Sequence, residues 1–258
     1  MNESPRLDLL RPRDVGGLFR DALDSYRRHF GSFVAIGAAA VVPVQLVVTG
    51  VGLGELSGGY PPSGTGAALA VTVAENYLLI GPLVTAMVVH ALLAVADGRR
   101  PQSWAAIVSG LEAFRPIFVA VLIAAAGVVV GFLALIVPGI WLFIRWYFVP
   151  QAVVVDGRRA LPALERSAEL VSGSWWRVFG VIVVATIAVG VPGTLIELPF
   201  NVWANSADSS AISLIGQVVA SALTAPFEAL MLTLLYFDLL ARRQLPAMVP
   251  PVQPPPNG

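Results

Sequence analysis

One arginine lies inside a long apolar stretch, and its chemistry depends on what compensates its charge. Arg145 follows Gly139 by six residues in a segment that otherwise contains no charge. A cation in the middle of a bilayer costs at least about 2.5–3.5 kcal/mol, so it needs water or an acidic partner. Glu228 is the acidic side chain expected at matching depth, with Glu75 as the second candidate. Two interpretations stay open: a structural ion pair, or a site for an anionic substrate or lipid headgroup.

The other polar side chains in apolar surroundings suggest structural roles. His90 favours a hydrogen bond between helices over a proton relay. Asp238 precedes Arg242 by four residues, which predicts an ion pair along one helix. Walker, HExxH, GxSxG and dinucleotide-binding motifs are all missing from the sequence. With no cysteine and only two histidines, it also lacks an ordinary metal site. We therefore expect no catalytic residues, no metal, no cofactor and no enzymatic activity.

The composition indicates an integral membrane protein. Hydrophobic residues make up 57% of the 258 residues and charged residues only 12%, with a mean hydropathy of +0.78. A soluble domain usually carries about 25% charged residues, so this chain has too little polar surface to face water on all sides. The net charge of zero gives no electrostatic support for a nucleic-acid partner.

Six apolar stretches are long enough to cross a bilayer at about 1.5 Å of rise per residue. They predict an all-α fold with spans at residues 31–51, 67–96, 116–137, 140–155, 178–198 and 211–240. Pro138-Gly139 is expected to separate the third span from the fourth. Loops are predicted at residues 52–66 and 199–210 because these segments are rich in glycine, serine or polar residues.

Three stretches outside the spans carry a single apolar stripe at helical spacing, at residues 15–30, 104–114 and 161–175. Each precedes the first span of a pair, which predicts three amphipathic helices on the cytoplasmic face of the membrane. Aromatic side chains in these helices are expected to anchor them at the interface. The predicted anchors are Tyr26, Trp104, Phe114, Trp175 and Trp176.

The arginines predict the orientation of the chain. Fifteen of the sixteen fall on one side if both termini are cytoplasmic, and the two full outer loops contain none. This distribution follows the positive-inside rule and places both termini in the cytoplasm.

The three units of surface helix and spans align without gaps. Aromatic residues match at two offsets, four residues apart: Tyr26, Phe114 and Trp175, then Phe30, Phe118 and Phe179. This alignment predicts an internal repeat of three hairpins, with units at about 15–96, 101–155 and 160–243. We therefore expect a single membrane domain at 15–243, with disordered tails at 1–14 and at the proline-rich residues 244–258.

Several segments also match a known family loosely: Leu18–Phe33, Pro138–Trp141, Arg145–Pro150, Ala160–Gly180 and Leu235–Arg242. Here the chain resembles the bacterial glycerophosphoryl diester phosphodiesterase membrane domain, which is related to the YciC-like inner-membrane proteins. That family takes its name from fusions to a catalytic barrel, whose metal-binding histidine and acidic set has no counterpart in this sequence. The resemblance implies a multi-pass protein of the bacterial cytoplasmic (plasma) membrane, without phosphodiesterase activity.

These observations favour a non-enzymatic membrane module that binds lipids or a membrane protein partner. The arginine-rich cytoplasmic face suits anionic lipid headgroups. The alternative is a small transporter or exporter with a polar cavity around Arg145. Helix-weakening residues in the spans favour this alternative: Pro43, Pro82, Pro138 and Pro192.

Overall fold

The computed structural model describes residue 9, residues 11–50 and residues 73–248. The predicted tails up to residue 8 and beyond residue 248, the loop at 52–66 and the start of the second span lie outside these residues. Every regular element in the described part of the chain is helical. The helices are α1 (Val15–Arg28), α2 (Phe30–Gly50), α3 (Gly81–Ala96), α4 (Ser103–Ala134), α5 (Ile136–Arg145), α6 (Val149–Asp156), α7 (Leu161–Val171), α8 (Trp175–Ala207) and α9 (Ser210–Met248), and a π-helical turn, Glu75–Ile80, precedes α3.

Six stretches of these helices are long and apolar enough to cross a membrane, which confirms the predicted number of candidate spans. Helices suit this environment because they satisfy their backbone hydrogen bonds internally. The stretches are Phe30–Val48, Glu75–Ala96, Ser103–Ala134, Ile136–Asp156, Trp175–Ala207 and Ser210–Gln244.

The predicted surface helix at residues 104–114 is not a separate element. It forms the first part of α4, which continues through Pro116. A proline inside a helix removes its own N–H donor, and neighbouring segments of membrane proteins compensate for that loss. In contrast, His29 divides α1 from α2, and residues 172–174 divide α7 from α8. The second unit therefore differs from the other two, and the internal repeat stays a prediction.

The boundary between the third and fourth spans lies at Leu135, earlier than predicted. Leu135 has extended backbone angles, φ −165° and ψ 156°, and ends α4. Pro138 and Gly139 lie instead near the start of α5, where proline is tolerated because the first N–H groups have no partner within the helix. The fourth span is itself divided, because α5 ends at Arg145 and α6 begins at Val149.

Two helices extend further than predicted. α8 continues through Pro199 to Ala207, so most of the predicted loop at 199–210 is helical. α9 continues to Met248, past the predicted end of the domain at residue 243. α8 accommodates Pro192 and Pro199 because each proline withdraws one N–H donor from the helical ladder and leaves the others in place.

α3 and α9 form the centre of the bundle, and α4 and α8 form its periphery. Met87 on α3 and Leu230 and Tyr236 on α9 are fully buried. α4 and α8 expose long rows of valine, leucine and isoleucine, an outer surface that suits contact with lipid chains. The apolar stripe of α1 packs on α9, where the rings of Phe19 and Tyr26 both contact the ring of Phe227.

The contacts between helices differ from the prediction at the first of the three predicted hairpins. α8 packs along α9 and α4 packs against α5, but α2 packs mainly on α9 and α3 mainly on α4. Gly37 on α2 permits the contact with α9. A Cβ atom at this position would lie only 2.2 Å from the carbonyl oxygen of Ala222, so the backbones could not approach this closely with a larger residue.

Candidate functional site

The break in the fourth span is stabilised by a serine from α7. The Ser167 hydroxyl accepts a hydrogen bond from the backbone N–H of Phe148 at 3.1 Å and donates one to the carbonyl oxygen of Arg145 at 2.9 Å. It thus satisfies two backbone groups that are free because the helix is interrupted. Ser167 was not among the predicted site residues, although a serine within the apolar stripe of α7 was a usable signal. α7 therefore packs into the bundle through this residue, which is fully buried.

The positive charge of Arg145 is stabilised by an aromatic ring. Its guanidinium lies over the indole of Trp141, 4.7 Å from the ring centroid, which is a cation–π contact. Trp141 is one helical turn earlier on the same face of α5. Among the described residues, Arg145 forms no ion pair within 4.0 Å, so the predicted direct contact with Glu228 is not present.

The direction of α5 explains why Arg145 and Glu228 do not meet. Residues two apart on a helix point about 200° apart, so Phe143 lies on the face opposite Trp141 and Arg145. The ring of Phe143 contacts Tyr77 at a centroid distance of 5.3 Å and Tyr147 at 5.4 Å. Glu228 is close enough to both tyrosine hydroxyl groups to interact with them electrostatically. We call Tyr77, Phe143, Tyr147 and Glu228 the Glu228 group.

Glu75 and His90 do not join Arg145 in one site. Glu75 starts the π-helical turn, is only 4% exposed, and has no hydrogen-bond partner for either carboxylate oxygen. His90 bonds within its own helix, with Nδ1 2.8 Å from the carbonyl oxygen of Ala86. The predicted hydrogen bond from His90 to another helix is therefore replaced by one within α3.

A second polar cluster joins the start of the chain to α8 and α9. Asp238 is fully buried and accepts a hydrogen bond from the backbone N–H of Arg13 at 2.6 Å. Its carboxylate also forms ion pairs with Arg177 and with Arg242, each at 2.9 Å. Both guanidinium groups donate to the carbonyl oxygen of Arg13 as well. The predicted Asp238–Arg242 pair is confirmed, and we call these four residues the Asp238 network.

A third cluster lies next to the Asp238 network and fixes α7. The Asp156 carboxylate forms an ion pair with Arg166 at 2.5 Å and accepts a hydrogen bond from the Tyr236 hydroxyl at 2.9 Å. Burial lowers the pKa of Arg166, but the hydrogen bond and the charge of Asp156 outweigh this effect and raise it. At the end of α7, Arg243 donates to the carbonyl oxygens of Glu169 and Ser172.

The predicted aromatic anchors fall into two groups. Trp104 and Trp176 are 76% and 78% exposed, as anchors require. Tyr26 is buried instead, and its hydroxyl donates to the carbonyl oxygen of Leu223 at 2.7 Å. Burial raises the pKa of Tyr26 to about 12. Tyr26 is therefore part of the core, because α1 places it against α9.

The other two anchors are half-buried and contact an aromatic ring one turn later in their own helix. The ring of Trp175 stacks on Phe179 at a centroid distance of 5.4 Å. Phe114 contacts Phe118 at 5.7 Å. These i,i+4 pairs stabilise the starts of α8 and of the apolar part of α4.

Comparison with known proteins gives one match. No curated protein and no solved structure matches the chain. A family model matches residues 73–239, which include α3 to α8, most of α9, the divided fourth span and the Glu228 group. Since this match covers well over half of the 258 residues, the chain belongs to the family described as Domain of unknown function (DUF7847).

Proposed function

We propose that this chain is a non-enzymatic multi-pass protein of the bacterial plasma membrane that binds anionic lipid headgroups at its cytoplasmic end. The observation that carries the proposal is a set of exposed arginines without acidic partners. Arg27, Arg100, Arg158 and Arg159 are all exposed, and none forms an ion pair within the described part of the chain. We call these four residues the arginine surface.

Contacts between distant segments support the location of the arginine surface at one end of the bundle. The Asp238 network brings the starts of α1 and α8 to the last part of α9. The hydrogen bond between Asp156 and Tyr236 brings the turn that carries Arg158 and Arg159 to the same part of α9. The Ser32 hydroxyl donates to the carbonyl oxygen of Pro101 at 3.3 Å, which brings the segment that carries Arg100 to the junction of α1 and α2.

An arginine without an acidic partner keeps its charge and its donors available for another anion. Guanidinium groups bind phosphate oxygens in a bidentate manner, so phospholipid headgroups are suitable partners. Basic residues near an anionic membrane surface each contribute about 1 kcal/mol to the attraction. The expected partner is therefore an anionic phospholipid of the cytoplasmic leaflet.

Lipid retention during purification tests the proposal. The protein would be extracted into mild detergent, and the co-purified lipids would be identified by mass spectrometry. A variant with all four residues of the arginine surface changed to glutamine should retain less anionic lipid than the wild type. The matched control changes the same four residues to lysine, which keeps the charge and should keep most of the lipid. Equal retention by the glutamine and lysine variants would contradict the proposal.

A small transporter is the second candidate function, and the divided fourth span favours it. Discontinuous helices are common at transporter sites because free backbone groups there can face a ligand. Labelling of single introduced cysteines can test this function directly, because the sequence contains no cysteine of its own. Single cysteines at Arg145 or Tyr147 should react with a membrane-impermeant thiol reagent if water reaches the break. Failure of both positions to react in intact membranes would count against transport and favour the lipid-binding module.

A further inference from the structure

The guanidinium of Arg145 has no acceptor oxygen in the described part of the chain. Its N–H groups form no hydrogen bond and no ion pair there, and only the backbone carbonyl of Arg145 is bonded, to Ser167. The contact with Trp141, at 4.7 Å from the ring centroid, stabilises the charge but supplies no acceptor oxygen. An arginine also stays protonated in proteins. Arg145 therefore keeps its positive charge and unused N–H donors.

These donors lie on the outer surface of the bundle. Val137 and Trp141 precede Arg145 by eight and four residues, so the three side chains share one face of α5. Val137 is 76% exposed and Trp141 is 45% exposed. Arg145 is partly exposed, and its nitrogens are not among the fully buried atoms that lack a partner, unlike the carboxylate oxygens of Glu75. This face of α5 therefore turns the free donors towards the lipid around the spans.

Arg145 is also close to the end of the bundle that carries the arginine surface. Its carbonyl oxygen accepts the hydrogen bond from Ser167 on the buried side of α7, whereas the Glu169 side chain of the same helix is 62% exposed. A helix with its side chains is about 10–12 Å across, so the backbone of Arg145 lies about one helix diameter from the exposed side of α7. Arg158 and Arg159 immediately precede α7. Local thinning of the bilayer brings headgroups to arginines at such depths.

The ligand that fits free guanidinium donors in lipid is an anion with apolar chains. Guanidinium groups bind phosphate oxygens in a bidentate manner. No described carboxylate pairs with Arg145, so nothing beside it would hold the ammonium group of a zwitterionic headgroup. We propose that Arg145 and Trp141 bind the phosphate of one anionic phospholipid, with an acyl chain of that lipid along Trp141 and Val137. This inference rests on the proposed function for the class of lipid, but it assigns a site separate from the arginine surface.

Native mass spectrometry of the full-length protein in detergent tests the site. The protein would be titrated with phosphatidylglycerol, and with phosphatidylcholine of the same acyl chains as the zwitterionic control. The starting protein has the arginine surface changed to glutamine, so that Arg145 is examined without those four residues. Adding Arg145→Gln should weaken phosphatidylglycerol binding about tenfold, because it removes the charge and the paired donors. Binding of phosphatidylcholine should not change.

A matched control removes an arginine that is already paired. Arg99→Gln also removes one positive charge, but Arg99 forms an ion pair with Asp97 at 2.6 Å, so phosphatidylglycerol binding should stay the same. Arg145→Lys should weaken binding by about threefold, because lysine keeps the charge and loses the bidentate geometry. Trp141→Leu should weaken it by a similar factor of about three, and Trp141→Phe should weaken it less, because the ring orients the guanidinium. Unfolding temperatures in lipid-free detergent would verify that each variant is folded.

Two results would overturn this site and leave the arginine surface untouched. One is equal phosphatidylglycerol binding with and without Arg145→Gln in the glutamine protein. The other is an equal loss of phosphatidylcholine and phosphatidylglycerol binding in Arg145→Gln, because the site would then not select an anionic lipid. Failure of the arginine surface is recognised separately, by equal lipid retention in its glutamine and lysine variants.

Discussion

Replacing Asp238 by asparagine should destabilise the protein strongly. The side chain keeps its shape but loses its charge, and one acceptor oxygen becomes an NH₂ donor. In the wild type, the carboxylate is fully buried and accepts from the backbone N–H of Arg13, from Nε and Nη2 of Arg177, and from Nε of Arg242. The new NH₂ group would face N–H donors, so at least one of these contacts becomes repulsive.

The size of the expected loss of stability depends on how deeply Arg177 and Arg242, the partners of Asp238, are buried. Breaking a fully buried ion pair typically costs about 3–5 kcal/mol. The side chains of Arg177 and Arg242 are 26% and 39% exposed, so water compensates part of the loss. Both can also still donate to the carbonyl oxygen of Arg13. We therefore expect a loss of about 3 kcal/mol, at the low end of that range, which corresponds to about 6–12 °C in unfolding temperature.

Thermal unfolding in detergent, followed by tryptophan fluorescence, measures this effect. Asp97→Asn is the matched control, because Asp97 pairs with Arg99 at 2.6 Å but both side chains are well exposed. Exposed pairs contribute about 0–1 kcal/mol, so this variant should unfold within about 4 °C of the wild type. If Asp238→Asn unfolds at the same temperature as Asp97→Asn, the Asp238 network does not hold the N-terminal segment, α8 and α9 together.

Three further predictions concern the spans and their junctions. Arg145→Leu and Glu228→Leu should change the free energy of unfolding additively, within about 0.5 kcal/mol, because the two side chains do not pair. A coupling energy above 1 kcal/mol in a double-mutant cycle would refute this. Burial, together with the charges of Arg28 and Arg100, lowers the pKa of His29. The unfolded chain therefore binds a proton more readily than the folded protein, and stability should fall as the pH drops below about 6.5. In thermal unfolding between pH 8 and pH 5, His29→Gln should reduce this fall. Reporter fusions after Arg100 should report a cytoplasmic location and fusions after Asn205 an external one, and the reverse pattern would invert the proposed orientation.

The sequence determined the class of the fold and its local contacts. Apolar stretches of about twenty residues predict spans because a bilayer has a fixed thickness, and the number of candidate spans is confirmed. The Asp238–Arg242 pair was equally predictable, because residues four apart on a helix are neighbours whatever the helix packs against. Proline positions were less informative, since α4, α8 and α9 all continue through a proline.

Only the tertiary structure decided which distant groups meet. Apolar content predicted that the charge of Arg145 needs compensation. The rotation of α5 gave that role to Trp141 and turned Phe143 to the opposite side, against Tyr77 and Tyr147. The amphipathic stripe of α1 was visible in the sequence, yet the stripe is compatible with lipid or protein as its partner. Packing on α9 buried Tyr26, which the sequence alone had assigned to the membrane interface. Periodicity fixes which residues share a face of a helix, whereas the packing of all the helices together fixes what that face contacts.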